Sequence, residues 1–114
     1  MGADFDLKRI TELRVMLGAE ADAIVASMVV NMTTAIAELE ETVPSGQFDR
    51  ATQAAHLCRN DALMLGAGAL QEALRTLEVA TRGRDESGAR DALERLRAVW
   101  SATRDDLAEV SRSP

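Results

Sequence analysis

The chain has 114 residues, enough for one domain with a core of its own and too few for two. Its net charge of −6 and isoelectric point near 4.7 argue against a basic face for phosphate backbones, and so against nucleic acid as a partner. Hydrophobic residues make up 46% of the chain, but the aromatics are only Phe5, Phe48 and Trp100, so Ala, Leu, Val and Met must build the core.

That palette, together with Glu and Arg, ranks high in helix propensity, and β-branched runs of period two are missing. The chain reads as all-α. A lone Cys58 cannot close an internal disulfide, which suits a reducing compartment. No stretch approaches the roughly 20 apolar residues of a membrane span. Met1-Gly2-Ala3-Asp4 has no signal-peptide pattern, and Asp6 stands where a myristoylation motif needs Ser or Thr. A cytoplasmic protein without membrane contact is expected.

In chain order, Asp4 can cap a short first helix (about 4–17) that carries Leu7, Ile10, Leu13 and Leu17 at helical spacing and ends at Gly18. The second helix (about 20–41) has two apolar stripes. Ile24, Met28, Ala35 and Leu39 form one, and Val25, Val29, Met32 and Ile36 form the other. A helix apolar over so much of its girth either wedges between the first helix and the rest or offers a docking or dimer surface. Val43-Pro44-Ser45-Gly46 breaks it.

The third helix (about 47–65) has the core stripe Phe48, Ala51, Ala55, Cys58, Ala62 and Leu65, followed by a turn at Gly66-Ala67-Gly68. The fourth (about 69–82) turns Leu70, Leu74, Leu77 and Thr81 inward. After a charged turn from Gly83 to Gly88, the fifth (about 89–110) carries Ala89, Leu93, Leu96, Trp100, Thr103, Leu107 and Val110. Short connections between amphipathic helices predict an antiparallel up-down four-helix bundle with a short additional N-terminal helix, one domain over 1–114.

His56 is the only histidine and falls within the third helix. At about 100° per residue it lies roughly 130° from the centre of that helix's core stripe, so it is not a core residue. Cys58 is about 160° from it, which removes both a Cys-His nucleophile pair and a Cys-His metal site. No metal is expected. Thr52, Arg59, Asn60 and Leu63 share its side.

What remains is an exposed imidazole, either decorative or a nucleophile. An unperturbed histidine titrates near about 6.5, so at neutral pH most of it has a free ring nitrogen. A phosphoryl group on it would add nearly two negative charges. Arg59, one turn on, is placed to offset them, and Asn60 either donates a hydrogen bond or crowds the site. Leu57, Leu63 and Met64 surround the histidine with apolar surface that packs on neighbouring helices or docks a partner.

The run Ala55-His56-Leu57-Cys58-Arg59-Asn60-Asp61-Ala62-Leu63-Met64-Leu65-Gly66-Ala67 resembles the histidine-containing phosphotransfer (HPt) domains of two-component phosphorelays. Their pattern is Ala-His-x-Leu-Lys-Gly-Ser-Ala-x-x-Leu-Gly-Ala. His56 matches the phosphorylated histidine, Arg59 stands where the family has a phosphoryl-contacting lysine, and Leu65-Gly66-Ala67 matches the closing turn. Leu77-Glu78 is similar to a family Leu-Glu pair in the next helix, and Leu13 to Gly18 looks like the opening helix and its turn.

The resemblance implies a phosphocarrier that exchanges a phosphoryl group between His56 and an aspartate of a response-regulator receiver domain, fed by a sensor or hybrid histidine kinase. It implies that Glu78 accepts a hydrogen bond from the imidazole and fixes its tautomer. Leu57, Leu63 and Met64 would dock the partner, and Arg59 and Asn60 would stand by the phosphoryl group. The chain would have no kinase or phosphatase activity and no cofactor, with Mg²⁺ on the receiver, and would be a monomer. It departs from the family pattern at two places. The glycine one turn after the histidine is Asn60, and the small residue after that is Asp61. A degenerate HPt-like adaptor or dimerisation module that binds a partner without phosphotransfer is the alternative. An enzyme with its own pocket has little support, because nothing gathers a nucleophile, a base and oxyanion donors, and no GxxxxGK[ST] loop is present.

Overall fold

The computed structural model describes residues 7–112. Among them are five helices and no strand: α1 (Leu7–Leu17), α2 (Glu20–Thr42), α3 (Phe48–Leu65), α4 (Gly68–Arg82) and α5 (Glu86–Arg112). The protein is all-α, a helical bundle. The expected cap at Asp4 lies outside the described residues, as do the side chains of Leu7, Ile10 and Val110.

Glycine sets two of the breaks. Gly18 (φ 60°) and Gly66 (φ 71°) adopt the left-handed conformation that ends helices cheaply only where there is no Cβ. After Gly66 the Ala67 N–H donates to the Ala62 carbonyl at 2.9 Å, closing the α3 terminus. The fourth turn differs from expectation. Arg84 takes the positive φ (55°), and Asp85 caps α5 by accepting the Gly88 N–H at 3.0 Å. Helix α5 therefore begins at Glu86, three residues before the expected start at Ala89. The charged run is helix N-terminus as much as turn, because a side-chain carboxylate there satisfies a donor the helix leaves open.

Helix α3 is central, packing on α2 on one side and α4 on the other; α4 packs on α5, α1 on α2, and α2 also meets α5. Four alanines of α3 (Ala51, Ala54, Ala55 and Ala62) are buried together with Cys58, and their small side chains let both neighbours approach. The expected inward stripes of α3 and α4 are buried throughout, and so are those of α5 from Ala89 to Leu107. The two stripes of α2 merge into one. Met28, Met32, Ile36 and Leu39 are buried, while Ile24, Val25, Val29 and Ala35 are half-buried flanks. With 27 residues, α5 is about 40 Å long, nearly the full 43 Å extent of the molecule.

By length and composition α2 is long and apolar enough to cross a membrane, with a mean hydropathy of 1.3 over its most apolar window. The expectation that no stretch comes near a span was therefore too strong. Its acidic residues (Glu20, Asp22, Glu38, Glu40, Glu41) lie towards its ends and leave an uncharged middle. The same profile suits a helix that faces the core, as Met28, Met32, Ile36 and Leu39 do here.

Candidate functional site

The α3–α4 hairpin sets the site. His56 lies ten residues before Gly66 and Glu78 ten residues after Gly68. In two packed helices joined by so short a turn, such residues stand level, each about 15 Å from it. Three cross-pairs confirm the register. The hydroxyls of Thr52 and Thr81 meet at 2.7 Å, Arg84 reaches Asp49 at 3.1 Å, and His56 faces Glu78. Local helix phase does the rest: Ala54 and Ala55 are buried and turn His56 outward, where its side chain is 50% exposed.

Glu78 is the unusual member, with a side chain only 5% exposed. A carboxylate taken out of water needs charged or hydrogen-bonding partners. Arg82, one turn on in α4, donates from Nη2 to Oε2 at 2.7 Å. Arg59 of α3 brings Nη2 to 3.2 Å from Oε1, but without the angle of a hydrogen bond, and Oε1 is buried with no hydrogen-bond partner. Oε2 also faces Nδ1 of His56 at 3.6 Å, beyond hydrogen-bond length, while Arg59 Nη2 donates towards the same ring nitrogen at 3.4 Å, a contact made only when Nδ1 is unprotonated, because a guanidinium cannot accept. Two guanidinium groups against one carboxylate make this spot locally cationic on a chain of net charge −6. Among the described residues no cluster of three or more His, Cys, Asp or Glu could hold a metal ion.

On the other side of His56 the surface is apolar. Leu57, Leu63 and Met64 are each more than half exposed. Asn60 is exposed as well and lines an open groove of about 500 Å³ between α2 and α3, with Leu57, Ala54, Cys58 and Asp61 from α3 and Thr34, Ala35 and Glu38 among those from α2. Asp61 is half-buried there, and the loss of water pushes its carboxyl above the ordinary range. Cys58 is fully buried, and burial, helped by the charge of Asp61, pushes its thiol up to about 12. A thiol held so far from ionisation is a core residue and not a nucleophile.

The structure thus brings His56, Arg59 and Glu78 together and sets Asn60, Leu57, Leu63 and Met64 on the adjoining surface. Arg82 escaped the sequence reading. Its signal was available in the i,i+4 spacing of Glu78 and Arg82 on one helix face. Against known proteins the chain matches no family model, no curated protein and no solved structure.

Chemically, the arrangement offers an imidazole with a buried carboxylate behind one nitrogen and open solvent before the ring. When Nδ1 carries the proton it gives up the Arg59 contact and can turn to Glu78, and Nε2 then keeps its lone pair on the accessible side.

Proposed function

We propose that this protein is a phosphocarrier of the HPt type, taking a phosphoryl group on His56 from an aspartyl phosphate of a receiver domain and returning it. The observation that carries this reading is the half-exposed imidazole backed at Nδ1 by the buried Glu78 and flanked by Arg59. In the forward step the Nε2 lone pair forms the N–P bond as the P–O bond to the aspartate breaks. The aspartate leaves as carboxylate, the proton stays on Nδ1, and the ring becomes cationic. Net charge is −2 on both sides, and no proton is consumed. Glu78 stabilises the cationic ring, and Arg59 offsets the phosphoryl oxygens. This chain's part is positioning and charge, with no kinase or phosphatase activity of its own. The receiver brings its own Mg²⁺.

On this reading Leu57, Leu63 and Met64 are the docking surface, α2 to α5 form the up-down four-helix bundle with α1 added, and the protein works as a cytoplasmic monomer between a kinase and a receiver. Mixing it with an acetyl-phosphate-charged receiver is expected to give an acid-labile, alkali-stable phosphoprotein. If wild type labels no better than His56→Gln, the carrier reading is wrong.

A second reading is favoured by Asn60, which stands exposed where the HPt pattern has glycine. A side chain there crowds the phosphoryl position, and the protein would then be an adaptor that binds receivers without chemistry. Receiver binding that survives His56→Ala, with no phosphate ever found, would decide for it.

A further inference from the structure

Glu78 has one carboxylate and three claimants. Arg82 holds Oε2 through a short charge-assisted hydrogen bond of 2.7 Å. Nδ1 of His56 faces that same oxygen, and Arg59 lies 3.2 Å from Oε1 without hydrogen-bonding to it. The two arginines are thus unequal. One is anchored from the same helix at i+4; the other makes its one hydrogen bond, at 3.4 Å, to Nδ1 of the unprotonated histidine ring, a bond it gives up when Nδ1 takes the proton.

We infer that Arg82 is a positioning residue, which keeps the Glu78 carboxylate behind Nδ1 while Arg59 transfers from Glu78 to the phosphoryl group on His56. The transfer of Arg59 rests on the phosphocarrier reading above; the anchoring of Glu78 does not. A carboxylate only 5% exposed cannot be left without a cation. With Arg59 as its only cation, Glu78 would turn its oxygens to that guanidinium. It would then compete with the phosphoryl group for Arg59 and release the imidazole. Arg82 removes the conflict. The contact Arg59 gives up, which lacks hydrogen-bond geometry, is the weaker of the two, so its departure costs little. Arg82 itself is 68% exposed and has no core to support, so its placement on Glu78 is its main structural consequence.

The test uses the full chain and needs neither phosphate nor partner. Because His56 is the only histidine, ¹⁵N spectra of the imidazole at alkaline pH report one tautomer ratio without ambiguity. In wild type the Nδ1–H form, which Glu78 favours, is expected to be populated in competition with the Nε2–H form, which the Arg59 contact favours. Arg82→Ala is expected to lower the ratio of Nδ1–H to Nε2–H about three- to tenfold, the worth of one hydrogen bond. Arg82→Lys, which keeps the charge, should restore most of it, and Arg59→Ala should leave it equal or higher. An Arg82→Ala ratio that is unchanged or raised overturns the inference, as does a loss that Arg82→Lys fails to recover. A ratio that shifts as stated in a protein that never labels removes the carrier reading and keeps the anchoring of Glu78. A protein that labels with an unmoved ratio does the reverse.

Discussion

Oε2 of Glu78 stands 3.6 Å from Nδ1 of His56, on a side chain that is almost wholly buried while the imidazole is half in solvent. A hydrogen bond between them needs a movement of only about half an ångström, which a cationic, phosphorylated ring would draw in. Glu78→Ala is therefore expected to slow phosphotransfer about tenfold or more. Its effect on folding should be modest, about 1 kcal/mol, because Arg59 and Arg82 can both return to water. Labelling rates and thermal melts check the two parts separately. Unchanged transfer would show that Glu78 does not orient the ring.

Arg59 and Asn60 flank the histidine on opposite sides, Arg59 towards α4 and Asn60 towards the α2–α3 groove. Arg59→Ala is expected to slow transfer at least about tenfold through loss of a charge-assisted contact. Asn60→Gly should leave transfer equal or faster, at a cost of about 0.3 kcal/mol in helix propensity. A sharp loss of transfer in Asn60→Gly would mean that Asn60 itself contacts the phosphoryl group.

Burial holds the Asp61 carboxyl above its ordinary value of 3.8. A raised value in the folded state means that the ionised form destabilises the fold, and that this cost is absent once the group is protonated. Asp61→Asn is thus expected to raise the denaturation midpoint at neutral pH, with the gain shrinking as pH falls towards 3.8. Denaturant titrations at the two ends of that range test it, and a gain independent of pH would contradict the electrostatic cause.

Cys58 gives the opposite end of the scale. Burial, with Asp61 adding to it, raises the thiol from 9.0 to about 12. The unfolded chain ionises from 9.0 upward while the folded one does not, so the stability this thiol contributes is complete below 9.0 and is lost as pH climbs towards 12. The midpoint of wild type should therefore fall relative to that of Cys58→Ala as pH passes 9.0. At neutral pH a thiol reagent should react only at the rate of unfolding. Rapid labelling of the native protein would refute the burial of this side chain.

Much of this was readable in residue order. The step of the α3 stripe from Phe48 to Leu65 is a local property of a helix, so it turned His56 outward and Cys58 inward before any packing was known. Gly18 and Gly66 announced their turns because no other residue takes a left-handed φ at so little cost. The α5 start was misplaced because Asp85, inside a charged run that reads as solvated turn, serves as a cap only once Gly88 folds back on it. On α2 two stripes were equally apolar, and only the positions of its neighbours distinguish the buried Met28, Met32, Ile36 and Leu39 from their flanks.

The site divides the same way. That a histidine and an arginine share one helix face follows from a rotation of about 100° per residue and from nothing else. That α4 closes on this face, that Glu78 sinks out of water there, and that Arg82 shares its oxygen with the histidine depend on how two helices pack. The contacts of Glu78 with His56 and Arg59 join residues far apart in the chain, whose distance is set by the alanines between the helices and by the turn at Gly66, while the Glu78–Arg82 pair lies within one turn of a single helix.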